Sequence, residues 1–367
     1  METKQRAILV NVGKNAPEEP LNELSRLAET AGYETVAILT QKRNKPDPQT
    51  CLGAGKLNEL KTVADATECD AVIFDCEING SQFHHLEENL GIQVMDRSEL
   101  ILNIFAAHAV SNEGKLQVEL ARKKKALPRI IGKGIALSRQ GGGGSGGGGA
   151  RRGAGEQKLE LDKRTIRNEV RDLETKIDKL ASERKLRRSR REKNRVKLIA
   201  IVGYTNAGKS TLMNYLTNAD VLVEDKLFAT LDPVGRSLWL GEGKEVIIVD
   251  TVGFISRLPH ELISAFRSTL EETKFADLIL HVADVSDAAC VAQFDVVREV
   301  LNDLGAGDKP ILTVFNKDDE PRAKKLPHAE RSVFVSAKTG KGIDELKEAM
   351  VDMLFGAEEG EENKEKE

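Results

Sequence analysis

The stretch Leu198-Ile199-Ala200-Ile201-Val202-Gly203-Tyr204-Thr205-Asn206-Ala207-Gly208-Lys209-Ser210 opens with an apolar run of strand length. An eight-residue frame follows, with glycine first and sixth, then lysine and a hydroxyl residue. A strand leading directly into GxxxxGK[ST] is the loop that wraps a polyphosphate. Its glycines let backbone N–H groups turn inward, and a helix predicted to begin near Lys209 adds its positive end. Phosphate contacts are expected from Gly203, Tyr204, Thr205, Asn206, Ala207, Gly208, Lys209, Ser210 and Thr211. Lys209 is expected to reach the β- and γ-phosphates, and Ser210 to ligate Mg²⁺. Further apolar runs at 246–250, 278–283, 311–316 and 332–335, with helical stretches between them, predict a doubly wound α/β sheet with right-handed crossovers.

The base is read further along. Asn316-Lys317-Asp318-Asp319 fits NKxD directly after the run 311–315. Asp319 can accept from N1–H and the exocyclic amine of guanine. Adenine lacks that donor pair, and a carboxylate left unpaired in such a site is costly. Asn316 is expected to tie this loop to the phosphate loop, while the Lys317 stem covers the base. Ser336-Ala337-Lys338 fits the loop that offers a backbone N–H to the guanine oxygen. The nucleotide pair is therefore GTP and GDP rather than ATP.

Asp250-Thr251-Val252-Gly253 ends another apolar run and fits DxxG. Asp250 is expected to hold Mg²⁺ through a water, and the Gly253 N–H to sense the γ-phosphate. Thr230, in Phe228-Ala229-Thr230-Leu231-Asp232, is the candidate switch threonine that completes the Mg²⁺ shell when GTP is bound. An ordinary loop threonine is the competing reading, because Thr205 and Thr251 lie nearby in sequence. The metal set is then Ser210, Thr230 and Asp250, and the residues carrying hydrolysis are Lys209, Thr230 and Gly253. Many GTPases follow DxxG with a glutamine that orients the attacking water. Phe254 stands there instead, which predicts slow intrinsic hydrolysis and a water positioned by another element or a partner.

The other half of the chain is a different text. Runs at 7–12, 36–40, 71–75 and 92–96, each followed by an amphipathic stretch, predict a small parallel α/β unit over 1–112. Gly53-Ala54-Gly55-Lys56 lacks the full phosphate-binding frame and reads as a turn and helix start. Residues 114–126 read as helix, and 141–149 hold eight glycines and one serine, a flexible loop. Ile166, Val170, Leu173, Ile177 and Leu180 recur at spacings of 4, 3, 4 and 3, the seam of a short coiled coil. Pairing that helix with 114–126 gives an antiparallel hairpin over 113–195. Its end, 184–195, is nearly all Arg and Lys, either a solvated face or an RNA contact. The nucleotide domain spans 196–355, and 356–367 is expected to be a disordered acidic tail.

Net charge is only −4, so the uneven distribution of charge says more than the total. The cysteines, Cys51, Cys69, Cys76 and Cys290, show no metal-ligand spacing and are expected to be reduced thiols of a cytoplasmic protein. No signal-peptide pattern and no membrane span are expected.

The motif order resembles that of the translation-factor-like GTPases, and the chain more specifically resembles the HflX family. The resemblance rests on Asp250-Thr251-Val252-Gly253-Phe254-Ile255, on Leu227 through Asp232, and on Leu127-Pro128-Arg129-Ile130-Ile131-Gly132-Lys133-Gly134. It also rests on Cys51 through Lys56 and on Gly155 through Asp162, with Gln157 where the family has threonine. It covers residues 7–355. The resemblance implies a GTPase that binds the large ribosomal subunit through the N-terminal domain and the glycine-rich loop, splits or rescues stalled ribosomes, and is stimulated by them. It implies that 141–149, flanked by Arg139, Arg151 and Arg152, meets ribosomal RNA, and it weighs against an engineered linker there. The protein is expected to be a monomer. The competing reading is a regulatory GTPase that acts on a protein partner through the helical arm.

Overall fold

The structure is a computed structural model that describes residues 4–13, 18–140, 149–217, 227–228, 234–241, 243–257 and 267–364. The chain forms two compact units, 1–107 with 115–178, and 108–114 with 179–367.

The first unit alternates β1 (Gln5–Gly13), α1 (Glu18–Thr30), β2 (Tyr33–Lys42), α2 (Ala54–Thr67), β3 (Ala71–Phe74), α3 (Gly80–Leu90), β4 (Gln93–Asp96) and α4 (Arg97–His108). All pairings are parallel, in the order β2-β1-β3-β4. The four predicted apolar runs are these four strands. Ile8, Val10, Val72, Phe74 and Val94 form a core with Leu60 of α2 and Leu86 of α3. Gly53 is the N-cap of α2, in keeping with its reading as a helix start. Among the described residues of this unit, the buried charges are paired: Arg97 reaches Asp75 at 3.0 Å and Glu23 at 2.6 Å, and Asp96 meets Lys125 at 2.6 Å.

Two long helices follow, α5 (Asn112–Gln140) and α6 (Gly149–Lys193). Lys123 pairs with Glu169 at 2.7 Å and Lys124 with Glu174 at 2.8 Å, an antiparallel match. Leu173 is buried, and its seam neighbours Ile166, Val170, Ile177 and Leu180 are half-buried among mostly exposed residues. α5 is longer than the sequence suggests, since it runs through Pro128. Proline costs one helical hydrogen bond. Side-chain contacts hold the turn that follows, where the Arg129 guanidinium lies 3.7 Å over the Phe83 ring and also pairs with Glu99. The glycine stretch 141–148 lies outside the described residues.

The second unit carries β5 (Leu198–Gly203), α7 (Lys209–Thr217), β6 (Val234–Trp239), β7 (Glu245–Asp250), α8 (Arg267–Lys274), β8 (Leu278–Asp284), α9 (Cys290–Asp303), β9 (Ile311–Asn316), β10 (Ser332–Phe334) and α10 (Ile343–Lys364). The sheet order is β10-β9-β8-β5-β7-β6, and only β6 is antiparallel. Strand β5 is buried along its whole length. Ile199 and Ile201 face the α7 and α10 side, while Leu198, Ala200 and Val202 face the α8 and α9 side. β6 is a strand the sequence does not announce: it lies at the sheet edge, where only Leu238 is buried and Trp239 is 60% exposed. α10 continues past Gly356 to Lys364, into the stretch expected to be a disordered tail; its glutamates are good helix formers.

The basic end of α6 has two faces. Arg184 meets Glu113 and, at 3.6 Å, Glu271. Arg188 meets Glu271 at 3.8 Å and Glu272 at 3.6 Å, and Arg191 meets Glu272 at 3.4 Å. The Arg188 guanidinium also lies 3.3 Å over the Phe275 ring. Lys185, Arg187, Arg190 and Lys193 are exposed. Three of the run's eight basic residues thus form an internal clamp onto α8.

Candidate functional site

The site forms where five strands of the second sheet end, β5, β7, β8, β9 and β10. β5 delivers Gly203, and the loop turns back through Asn206 at φ 62° and Gly208 at φ 88° into α7. Both residues are left-handed, the turn that aims consecutive amides inward. At Gly208 a β-carbon would collide with the side-chain amide of Asn316, so glycine is required by shape as well as by φ. Tyr204 and Thr205 are tied to the DxxG loop: Thr205 N–H donates to the Phe254 carbonyl at 2.8 Å, and Phe254 N–H donates to the Gly203 carbonyl at 3.1 Å. The Tyr204 hydroxyl accepts from Ser256 N–H at 2.6 Å. Ala207 is buried, and Thr211 lies half-buried in the first turn of α7.

Lys209 is buried, and its ammonium donates to the Tyr204 carbonyl at 2.8 Å. Burial pulls its pKa down to about 8, and the Asp250 carboxylate opposes that fall. Asp250, buried at the end of β7, accepts from the Ser210 hydroxyl at 2.8 Å. Two hard oxygen donors thus meet at one point, the donor type that Mg²⁺ prefers. At Gly253 a β-carbon would lie 2.9 Å from Lys209 Nζ and 2.8 Å from Thr205 Cγ2. The DxxG glycine and the phosphate-loop lysine therefore share one close-packed spot.

The nearby threonines separate. Thr251 is fully buried and donates its hydroxyl to the Ile201 carbonyl at 2.7 Å, which commits it to the sheet. Thr230 lies outside the described residues. Phe254 is 1% exposed and sits in the apolar cluster with Val249, Leu270 and Ala276. Its side chain belongs to the core beneath the loop.

Asn316, at the end of β9, joins the loops. Its Nδ2 donates to the Ala207 carbonyl at 2.9 Å, and its Oδ1 accepts from Ala337 N–H at 3.0 Å. Lys317, at φ 66°, pairs with Asp284 at 2.6 Å. Asp284 is a residue the motif reading missed. Its signal was an acid ending an apolar strand, which belongs to no named motif. Asp319 is exposed and accepts from the buried Ser336 hydroxyl at 2.6 Å. That bond holds its carboxyl below the usual range. Lys338 is exposed beside Ala337. Apart from Thr230, the candidates lie on the phosphate, DxxG and NKxD loops, the loop after β10 and the first turn of α7, and contacts of Thr205 with Phe254 and of Asn316 with Ala207 and Ala337 join these loops.

A glycine-bounded phosphate loop, a DxxG loop packed on its lysine, and an NKxD loop bridged to the phosphate loop and to the loop after β10 define a P-loop GTPase. The chain matches family models described as GTP-binding GTPase N-terminal over 18–106, GTP-binding GTPase Middle Region over 108–191 and 50S ribosome-binding GTPase over 198–317. GTPase HflX of Caldanaerobacter subterraneus subsp. tengcongensis is 50% identical over 354 residues, 96% of this chain and 81% of that protein. GTPase HflX of Escherichia coli (strain K12) is 38% identical over 360 residues, 96% of this chain and 83% of that protein. The chain belongs to the HflX family of GTPases: it binds guanine nucleotide and hydrolyses GTP. A solved GTP-binding protein from the hyperthermophilic archaeon Sulfolobus solfataricus, in complex with GDP, shares the fold at 23% identity and a TM-score of 0.50, over 96% of this chain and 99% of that one. Among the described residues, no helix is long and apolar enough to cross a membrane.

Proposed function

We propose that this GTPase binds the large ribosomal subunit, that the ribosome stimulates its hydrolysis, and that it splits or rescues stalled ribosomes. The observation that carries the reading is Phe254. The position that holds a water-orienting glutamine in many GTPases is here filled by a ring buried in the core. The chain lacks a polar group at that position, so the water must be ordered by another element or by a partner, and in this reading the partner supplies it. The family-model description of a 50S ribosome-binding GTPase and the HflX relatives support the ribosome as that partner.

In this reading the backbone from Gly203 to Thr211 and the Lys209 ammonium hold the phosphates. Gly253 N–H senses the γ-phosphate, and Thr230 orders its loop when GTP is present. Ser210, Asp250 and Thr230 would hold Mg²⁺, which would neutralise phosphate charge. Asp319 reads N1–H and the exocyclic amine, Asn316 keeps the loops in register, Lys317 covers the base, and the Ser336-Ala337-Lys338 loop meets the guanine oxygen. Residues 1–112 and the hairpin 113–195, with its glycine loop 141–149 and Arg139, Arg151 and Arg152, form the RNA-facing part. Residues 196–355 form the switch, 356–367 are an acidic tail, and the protein acts in the cytoplasm as a monomer.

The test is the GTP hydrolysis rate alone and with purified large subunits, at two salt concentrations. Stimulation that weakens steeply with salt is expected for contacts between arginine and phosphate. No stimulation at either salt would overturn the ribosomal partner and point to a protein activator. Asp319→Asn should move preference from guanosine to xanthosine nucleotides. Unchanged preference for GTP would sink the base assignment.

A further inference from the structure

Asp318 is the variable position of NKxD, and the roles above leave it unused. Its side chain is 3% exposed, although its loop lies at the surface. Two cations enclose it: Lys341 Nζ at 2.6 Å and the Arg322 guanidinium at 2.5 Å. Arg322 in turn lies 4.1 Å over the Phe334 ring, and Phe334 stacks on Phe315 at 4.9 Å. Asp318 N–H also donates to the Val335 carbonyl at 3.1 Å. Lys341 closes the loop that begins at Ser336: its carbonyl accepts from Ser336 N–H at 2.9 Å. Ser336 is the residue whose hydroxyl holds Asp319 at 2.6 Å.

We propose that Asp318, gripped by Lys341 and Arg322, is a positioning residue that sets the Asp319 carboxylate against both guanine donors. The proposal rests on the assignment of Asp319 as the base reader. The physical reason is geometric. Asp319 is exposed and is steered by one hydroxyl, so its direction depends on where Ser336 stands relative to the NKxD loop. Asn316 fixes one end of the Ser336 loop through Ala337, and the Asp318–Lys341 pair fixes the other. With the second tie cut, Ser336 can shift, and a carboxylate serving two donors loses the more distant one first. Discrimination by an unmatched hydrogen-bonding group is the term most sensitive to such alignment.

The experiment compares GDP with IDP, whose base keeps N1–H but lacks the exocyclic amine. Dissociation constants are measured for the full chain, for Asp318→Asn and for Lys341→Ala. The Lys341 side chain is 64% exposed, so its truncation opens no cavity and spares the fold. Each variant is expected to bind GDP roughly tenfold more weakly, the worth of one well-aligned hydrogen bond. IDP should be hardly affected, so that the ratio of IDP to GDP dissociation constants falls severalfold. Wild-type GDP affinity in Lys341→Ala, or an equal loss for both nucleotides, would overturn the proposal. Failure of the base reading itself shows separately, in Asp319→Asn that still prefers GTP.

Discussion

The Asn316 side-chain amide donates to the carbonyl of Ala207, 109 residues earlier, at 2.9 Å. Its other end accepts from Ala337, so one side chain spans the phosphate loop, the NKxD loop and the loop after β10. Asn316→Ala removes both bonds inside a buried site. At about 1–1.5 kcal/mol each, the expected loss of GDP affinity is roughly thirtyfold to a hundred-and-sixtyfold. Displacement of a fluorescent GDP analogue reads it directly. A variant with wild-type affinity would mean that the loops keep register without the bridge.

Lys209 makes nucleotide binding sensitive to alkali. Its ammonium titrates near pH 8 because burial disfavours the charge. A polyphosphate favours the charged form, so binding takes up a proton above that pH. GDP affinity should be flat from pH 7 to 7.5 and then fall between pH 8 and 10, by at most about tenfold per unit. Calorimetric titration across that range measures it, with Lys209→Met as the control in which the slope disappears. A flat wild-type profile would refute the depressed pKa.

His281 makes the fold sensitive to acid. It lies buried in β8, stacked on Phe294 at a centroid distance of 4.3 Å. Burial, with Arg298 and Lys209 nearby, lowers its pKa to about 3. The unfolded chain therefore binds a proton that the folded chain refuses between about pH 3 and 6.5. Stability contributed by neutral His281 is complete above pH 6.5 and is lost as pH falls, by about 1.4 kcal/mol per unit. His281→Leu should flatten the urea midpoint between pH 6.5 and 4.5 relative to wild type. Parallel curves would assign the acid loss to other groups.

Arg188 ties α6 to α8 through two glutamates and the Phe275 ring. Arg188→Ala leaves Glu271 to Arg184 alone and Glu272 to Arg191 alone, uncovers the Phe275 ring, and should cost about 1–2 kcal/mol. A double-mutant cycle with Glu272→Gln isolates the pair, with a coupling of at least about 0.5 kcal/mol expected. Additive losses would show the clamp to be incidental.

The sequence was legible where a local rule had a single solution. β5 is an unbroken apolar run, Gly208 is dictated by φ and by Asn316, and the seam from Ile166 to Leu180 keeps its spacing to the end. β6 was hidden because an edge strand buries one face at most, and Gly235 and Arg236 dilute its pattern. The helix through Pro128 was hidden because the compensation comes from Phe83 and Glu99, some 30 to 45 residues away in sequence. The two faces of the basic run on α6 were invisible for the same reason: charge runs look solvated until their counterions, Glu271 and Glu272, fold against them. Asp284 escaped notice because its partner Lys317 is set by a tertiary contact, and Asp318 because its second partner Lys341 lies 23 residues away.

Phe254 has a consequence for how this switch can evolve. In a GTPase whose glutamine stands in the cleft, one codon can tune the timer. Here the side chain after Gly253 is a foundation stone of the apolar layer with Val249 and Leu270. A glutamine placed there would enter that layer, cost stability through an unmatched buried amide, and still fall short of any water at the phosphate. Idle turnover is therefore guarded by the same packing that keeps the domain folded, and mutational drift toward an always-running enzyme meets a stability penalty at its first step.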